Sequence, residues 1–257
     1  MTQHWSHTFY ALQDRLTGCH LQEIHPHHAA LAARITHHLK HVGTLLELGA
    51  GGGQFAVSAA RQGHQVTALD LWAGAGEYTR SLAARNSVSV QVVTGDFYTV
   101  DFPGTFESVC YWDGFGIGSD DDQRRLLSRV AGWLRPGATA FIDIYTPWYW
   151  AYHAGFARQH PGYTQVYGFD AQGCRMTDTY MPHGEEALTQ SLRCYSPADL
   201  QLLLSGTGLV LTDVWPGGDY DPQAGVYRPE ASLGECMTFT VLLQREPSLS
   251  AAGRARR

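Results

Sequence analysis

Residues 44–62 read TLLELGAGGGQFAVSAARQ, an apolar strand-like run followed by a glycine cluster and then by a helical pattern. Glycine lets the backbone adopt positive φ angles and lets a ligand approach where a Cβ would otherwise stand, and the first turn of the helix offers unpaired N–H groups. This segment therefore predicts a turn that holds the polar part of a nucleotide-like cofactor.

The segment begins a regular alternation of strand-like and helical patterns. Further strand-like runs lie at 65–70, 89–93, 106–112, 138–145, 209–215 and 235–244. The best-marked helix starts after Ser119, which forms an S-x-x-D capping box with Asp122, and Pro136-Gly137 is expected to stop it. Such alternation is typical of right-handed crossover connections. We predict an α/β fold with a doubly wound, seven-stranded, mostly parallel sheet.

The same pattern divides the chain into five segments. They are an N-terminal helical segment (1–43), a cofactor-binding α/β core (44–145), an aromatic-rich inserted cap (146–193), the C-terminal part of the core (194–246) and a flexible tail (247–257). The insert interrupts the alternation, and it is too long for a connecting loop and too apolar for a linker.

Composition excludes several classes of protein. The chain is 44% hydrophobic and 16% charged, which is typical of a packed globular protein, and its net charge of −6 disfavours a nucleic-acid partner. Five cysteines without a C-x-x-C pair indicate neither a disulfide framework nor a zinc site, and the histidines of the N-terminal segment lack a ligand set at suitable spacing. With no signal peptide and no membrane-length apolar run, we expect a cytoplasmic protein with no metal and no membrane partner. The oligomeric state is not indicated.

Acidic residues follow the first three strands of the predicted sheet. Glu47 lies at the end of the first strand and Asp70 at the end of the second, so both carboxylates face the crevice at the carboxyl edge of the sheet. A carboxylate at the position of Asp70 suits the two hydroxyls of a ribose. Asp96 and Phe97, just after the third strand, add an acid and an aromatic ring that could clasp an adenine.

The glycine spacing bears on which cofactor is bound. A dinucleotide fingerprint needs a third glycine where this chain has Gln54, and the pyrophosphate of a dinucleotide would meet the unfavourable charge of Glu47. A cofactor with a free ammonium group would instead be attracted by Glu47.

Several motifs together resemble those of one family. The pattern E/D-x-G-x-G-x-G matches Glu47, Gly49, Gly51 and Gly53, an acid after the second strand matches Asp70, and a G-D pair matches 95–96. LRPGA at 134–138 and YSPADLQLLL at 195–204 match later signatures of the same family. With these motifs the chain resembles the class I S-adenosylmethionine-dependent methyltransferases of the small-molecule type, over about 44–145 and 195–244.

The resemblance implies a cofactor, a reaction and a set of site residues. It implies that the cofactor is S-adenosylmethionine, that the last strand of the sheet is antiparallel, and that a methyl group passes to a small-molecule acceptor by in-line displacement. The cofactor-binding residues that it implies are Glu47, Gly49, Ala50, Gly51, Gly53, Asp70, Leu71, Asp96, Phe97 and Trp112.

Candidate residues for the acceptor side come from two places. Strand ends such as YWDGFG at 111–116 border the transferred methyl group in this family, so Asp113 is a candidate base or anchor for a cationic substrate, or else a turn aspartate. In the insert, His153 is a candidate base. Its neighbours Trp148, Tyr149 and Tyr152 are candidate substrate contacts, although such rings also pack an insert against itself.

Two other functions stay open at this point. One is a nicotinamide-dependent oxidoreductase on a related sheet, which Glu47 and Gln54 disfavour. The other is a protein that binds S-adenosylmethionine without transferring its methyl group.

Overall fold

The computed structural model describes residues 3–246, with side chains from residue 8 onward, so the tail predicted at 247–257 lies outside the described residues. The helices are α1 (Gln3–Thr17), a 3-10 helix (Cys19–Leu21), α2 (Pro26–Leu39), α3 (Gln54–Arg61), α4 (Ala73–Arg85), α5 (Asp120–Trp133), α6 (Pro147–Tyr152) and α7 (Pro197–Leu204). The strands are β1 (Thr44–Leu48), β2 (Gln65–Asp70), β3 (Val90–Thr94), β4 (Phe106–Tyr111), β5 (Leu134–Tyr145), β6 (Ala157–His160), β7 (Tyr163–Asp170), β8 (Arg175–Pro182), β9 (Leu188–Arg193), β10 (Leu209–Pro216), β11 (Asp219–Asp221), β12 (Val226–Arg228) and β13 (Thr238–Arg245).

A seven-stranded sheet lies at the centre of the described part of the chain. Its strand order is β10-β13-β5-β4-β1-β2-β3. The strand β13 runs antiparallel to both of its neighbours, and the other adjacent pairs are parallel. The predicted doubly wound, mostly parallel sheet with an antiparallel last strand is therefore confirmed. The strand order reverses beside β1, and a crevice at the carboxyl ends of the strands is the usual ligand position in such a sheet.

Both faces of the sheet are covered by helices. In β1 the side chain of Leu45 packs into a cluster with α2 and α3, whereas Leu46 and Leu48 pack into the larger cluster with α5 and α7. Successive strand residues point to opposite faces, so a strand covered on both sides reads as a continuous apolar run. In the range that the structure describes, no helix is both long enough and apolar enough to cross a membrane.

Helix α5 shows how tertiary packing sets an element boundary. The Ser119 hydroxyl accepts the backbone N–H of Asp122, and the Asp122 carboxylate accepts the N–H of Ser119 at 2.8 Å, which is the predicted capping box. The expectation that Pro136-Gly137 ends the helix is wrong, because the helix ends at Trp133. The next residue, Leu134, is fully buried and already pairs with β4, so the strand β5 begins before the proline.

The insert at 146–193, called the cap from here on, has its own secondary structure. It contains α6 and a four-stranded antiparallel sheet in the order β6-β7-β8-β9. Phe9 and Leu12 of α1 pack against Tyr163 and Tyr180 of this sheet. The helix α1 therefore packs against the cap.

One arginine joins the cap to the central sheet. The guanidinium of Arg175 on β8 donates to the backbone carbonyls of Gly116 at 3.1 Å and Gly118 at 2.9 Å, in the loop after β4. An isolated bridge between Ile117 and Leu192 runs beside these bonds. Together they hold the cap over the carboxyl edge of the sheet.

Candidate active site

A large cavity lies between the cap and the carboxyl ends of β1 to β5. Its volume is about 990 Å³, at the upper end of the range of roughly 300–1,000 Å³ that ligand pockets occupy. The loop after β1 lines one part of it, and the cap lines another. The cavity therefore has room for a cofactor and a second small molecule side by side.

The loop of residues 49–53, called the glycine loop here, needs backbone conformations that favour glycine. Gly49 and Gly51 have φ angles of 62° and 52°. The N–H of Gly51 donates to the Asp70 carboxylate at 2.8 Å, and the N–H of Ala50 donates to the Leu69 carbonyl at 3.0 Å. These bonds fix the loop to the end of β2 before any ligand arrives.

Glu47 is a buried carboxylate whose hydrogen bonding is incomplete. Its side chain is 3% exposed and lines the cavity, and among the described residues its Oε2 atom has no hydrogen-bond partner. Burial, together with repulsion from Asp70, raises the pKa of Glu47 well above its ordinary value. A buried acceptor without a donor is costly, so this position suits a ligand that brings an ammonium group.

Asp70 lies at the end of β2 and contacts both the glycine loop and the start of α4. Its Oδ2 accepts the N–H of Gly51 and its Oδ1 accepts the N–H of Trp72, both at 2.8 Å. Each carboxylate oxygen can accept a further hydrogen bond, so a diol could still bind both of them. The neighbouring Leu71 is 39% exposed and lines the cavity, where it offers an apolar surface to a flat ring.

Three further predicted residues line the same part of the cavity. Asp96 accepts the N–H of Tyr98 at 2.8 Å, which fixes the orientation of its carboxylate. The ring of Phe97 lies 5.6 Å from that of Tyr111. Trp112 lies with its ring 4.9 Å from Phe55. An acid and several rings therefore surround the space next to Asp70.

The segment of residues 18–22, called the strap here, crosses the glycine loop. The amide of Gln54 donates to the carbonyl of Gln22 at 3.0 Å and of Cys19 at 3.3 Å. A Cβ added to Gly52 would lie 2.1 Å from the carbonyl oxygen of His20, so the strap rests directly on the loop. In the sequence, Gln54 stands where a dinucleotide fingerprint needs its third glycine. In the structure, the side-chain amide of Gln54 binds the strap.

Asp113 and Tyr145 meet at the carboxyl ends of β4 and β5. The Tyr145 hydroxyl donates to the Asp113 carboxylate, and the Asp113 backbone has a φ of 55°, a left-handed conformation that few residues adopt. Asp113 is exposed to the cavity. The protein around the cavity displaces water from its carboxylate and raises its pKa, and the bond from Tyr145 acts in the opposite direction. Burial and the negative charge of Asp113 raise the pKa of Tyr145 well above its ordinary value, so this phenol keeps its proton.

Comparisons with known proteins agree with this geometry. The sequence profile of the methyltransferase domain family matches residues 45–137. The cypemycin N-terminal methyltransferase of a Streptomyces species is 26% identical over 231 residues, which cover 85% of this chain and 90% of that protein. The ubiquinone biosynthesis O-methyltransferase of Xanthomonas euvesicatoria pv. vesicatoria is 28% identical over 182 residues, which cover 69% of this chain and 66% of that protein.

A solved structure supports the fold. The S-adenosylmethionine-dependent methyltransferase of Clostridium acetobutylicum superposes with a TM-score of 0.69 at 13% identity, covering 94% of this chain and 99% of that one. Together the profile, the two relatives and the shared fold support a class I S-adenosylmethionine-dependent methyltransferase. Solved structures of the same fold include one with S-adenosylmethionine bound and one with S-adenosylhomocysteine bound, which agrees with S-adenosylmethionine as the cofactor of this methyltransferase.

The structure brings most of the predicted site residues of this methyltransferase into one cavity. Those that line it are Glu47, Gly49, Ala50, Gly51, Asp70, Leu71, Asp96, Phe97, Trp112, Asp113, Tyr149 and His153. Gly53 does not line the cavity. A Cβ there would lie 2.5 Å from Thr79, so this glycine permits the close packing of α3 on α4.

Two predicted substrate contacts lie elsewhere, because helix α6 turns them away from the cavity. Tyr149 and His153 are four residues apart and share the face towards the cavity, and the His153 Nδ1 atom lies 2.8 Å from the Tyr149 carbonyl. Trp148 and Tyr152 do not line this cavity. They line a second pocket, to which Tyr149 and His153 also contribute, and Tyr152 is 84% exposed.

Several cavity residues of this methyltransferase were not predicted from the sequence. Burial raises the pKa of Asp143 and of Asp178 to about 6, and both side chains line the cavity. Tyr145 ends β5, and the rule that strand ends face the crevice could have identified it. Asp178 lies within the cap, where no local pattern indicated which strand face would be covered.

Proposed function

We propose that this methyltransferase transfers a methyl group to a small molecule that binds beneath the cap. One observation carries the proposal: a single cavity extends from the glycine loop to Asp113 and Tyr145, and the cap covers it. Methyl transfer mainly requires two molecules to be held in contact with water excluded. An enclosed cavity of this kind suits a small acceptor better than a nucleic acid, and the acidic chain points the same way.

The residues around the glycine loop fit S-adenosylmethionine. Glu47 would hold its ammonium group, because the unpartnered Oε2 atom needs a cation or a donor. Asp70 would hold the ribose hydroxyls, and Asp96, with Leu71 and Phe97, would hold the adenine. When bound, S-adenosylmethionine supplies a methyl group that is attached to a positively charged sulfur. After the transfer, this sulfur is part of a neutral thioether.

Asp113 and Tyr145 are the proposed groups that orient the acceptor at the reacting end. Tyr145 fixes the Asp113 carboxylate through its hydroxyl, and the raised pKa of Asp113 makes this carboxylate a better proton acceptor than an ordinary aspartate. In-line displacement then needs only that the acceptor be held on the line of the breaking bond. His153 is proposed as a second proton acceptor, at the cap end of the cavity.

The relatives do not decide which atom of the acceptor is methylated. One is named for an N-terminal methylation and another for an O-methylation. All five cysteines of this chain are unpaired, which favours a reducing compartment, and we propose the cytoplasm.

Calorimetry with the reaction product tests the cofactor assignment. Wild-type protein is titrated with S-adenosylhomocysteine and, separately, with NADH, and the Glu47→Gln variant serves as the matched control that removes one charge without changing size. We expect heat with S-adenosylhomocysteine, none with NADH, and weaker S-adenosylhomocysteine binding in the variant. Binding of NADH alone would support the oxidoreductase alternative instead.

A second measurement separates transfer from binding alone. A pool of small metabolites is incubated with the protein and S-adenosylmethionine, and release of S-adenosylhomocysteine is followed. Product that depends on the pool supports methyl transfer. Cofactor binding without product from any pool would favour the non-catalytic alternative.

A further inference from the structure

The cavity carries far more negative than positive side-chain charge. Among the described residues that line it are the acids Glu47, Asp70, Asp96, Asp113, Asp143 and Asp178, whereas the only lysine or arginine is Arg158. S-adenosylmethionine has a net charge of +1, so it offsets only a small part of this excess. The acceptor side of the cavity therefore remains strongly acidic when the cofactor is bound.

Asp178 is the acid most deeply enclosed on the cap side. Its side chain is 4% exposed, and its two oxygens accept hydrogen bonds from the amide of Gln165 at 2.9 and 3.1 Å. A further hydrogen bond comes from Gln190, and these neutral amides hold the carboxylate in place but do not balance its charge. Among the described residues no salt bridge reaches Asp178, because Arg158 lies with its guanidinium carbon 4.5 Å from the ring centre of Tyr220 instead.

Asp178 and Asp113 line the same cavity, and the charge of Asp113 affects Asp178. Repulsion from Asp113 contributes to the raised pKa of Asp178, although burial is the larger cause. Because like charges disfavour ionisation of a neighbouring carboxyl group, a cation placed between two carboxylates stabilises both of them. A carboxylate ligand would add to the repulsion, and a neutral hydroxyl would leave it unchanged.

The walls between these acids are aromatic. Tyr145, Trp150 and Tyr167 line the cavity, and the ring centre of Trp150 lies 5.5 Å from that of Tyr145 and 5.3 Å from that of Tyr167. Aromatic faces attract cations, most strongly where water is excluded. The rings and the carboxylates therefore independently favour a positively charged ligand.

We infer that the acceptor is a small-molecule amine, and that its ammonium group is held between Asp178 and Asp113 against the aromatic wall. This inference rests on the proposed function and names its substrate class. The ammonium loses one proton to Asp113, and the nitrogen lone pair forms the new N–C bond as the C–S bond breaks and its electron pair stays on sulfur. The product is an N-methylammonium and S-adenosylhomocysteine, and Asp113 returns its proton to solvent. Asp178 anchors the amine.

Matched ligands test the inference. Two carbon skeletons are used, each as amine, alcohol and carboxylate: 2-phenylethylamine, 2-phenylethanol and phenylacetate, and cyclohexylmethylamine, cyclohexylmethanol and cyclohexanecarboxylate. Binding is measured by calorimetry with saturating S-adenosylhomocysteine at about pH 7.5, where alkylamines are protonated. We expect each amine to bind at least about tenfold more tightly than its alcohol, and the carboxylates to bind most weakly.

Variants then assign the preference to the cavity. Asp178→Asn keeps the size and one acceptor oxygen, and it should reduce the preference for the amine to about twofold or less while alcohol binding stays unchanged. Glu186→Gln removes a charge from an exposed turn of the cap and should leave the preference intact. The S-adenosylhomocysteine affinity of each variant shows that it is folded. Asp113→Asn should also reduce the preference, and should slow methylation of any amine that is a substrate.

The outcomes separate this inference from the proposed function. If S-adenosylhomocysteine binds but no amine in either series binds more tightly than its alcohol, the amine inference is wrong and the methyltransferase function stands. An amine preference that survives in Asp178→Asn would also overturn it. If S-adenosylhomocysteine itself does not bind, it is the proposed function that fails.

Discussion

Replacing Asp178 by asparagine should stabilise the ligand-free protein at neutral pH, although it changes a buried carboxylate that accepts hydrogen bonds. Asparagine has the same shape and keeps an oxygen that can accept the amide of Gln165. It removes one acceptor oxygen, which protonation of the carboxyl group also does, and a charge that the structure encloses without a paired cation among the described residues. The expected gain follows from the pKa of this carboxyl group.

The magnitude can be worked from the pKa values in the folded and unfolded chains. Burial raises the pKa of Asp178 from 3.8 to about 6. Between these pH values the folded protein keeps a proton that the unfolded chain has released, so the free energy of unfolding falls as the pH rises. At about 1.4 kcal/mol for each pH unit, the stability lost is about 3 kcal/mol by pH 7. The raised pKa of Asp143 adds a similar slope, but it does so in both proteins and cancels in their difference.

Urea unfolding of the wild type and of Asp178→Asn, at several pH values from about 4 to 7.5, measures this difference directly. We expect the two proteins to be equally stable near pH 4, and the variant to be more stable by up to about 3 kcal/mol above pH 6. Glu186→Gln, which removes an exposed charge from the same cap, should show no such divergence. If the variant is no more stable than the wild type at neutral pH, the claim that ionised Asp178 lowers the free energy of unfolding at that pH is refuted.

Three other substitutions test the cofactor side and the attachment of the cap. Asp70→Ala removes the acceptor of two backbone N–H groups and of the proposed ribose bonds, and should weaken S-adenosylhomocysteine binding at least about tenfold in calorimetry; an unchanged dissociation constant would contradict the assignment. Gly52→Ala should displace the strap, which hydrogen exchange would detect as faster exchange in residues 18–22, whereas Gly104→Ala, with open space around its Cβ, should not. Arg175→Met removes the bonds between cap and core and should lower the free energy of unfolding by about 2 kcal/mol or more, while the exposed Arg124→Met should have little effect.

Much of the fold could be predicted because its signals are local. The alternation of strand-like and helical patterns identified every strand of the central sheet, since a buried parallel strand reads as a short apolar run and right-handed crossovers restrict the order of strands. The end of α5 could not be predicted in this way. Pro136-Gly137 is a valid stop signal, but burial of Leu134 against β4 ended the helix earlier.

The sequence by itself determined the strand, glycine loop and helix, and with them the positions of Glu47 and Asp70. These residues lie at the ends of adjacent parallel strands, and that topology brings such ends to the same edge. Only the tertiary structure decided which face of α6 meets the cavity, that the strap rests on the glycine loop, and that Asp178 of the cap faces the same space as Asp113. Those contacts join parts of the chain far apart in sequence. A local sequence pattern shows the spacing of apolar side chains along a helix or strand. It does not show which distant part of the chain that helix or strand will pack against.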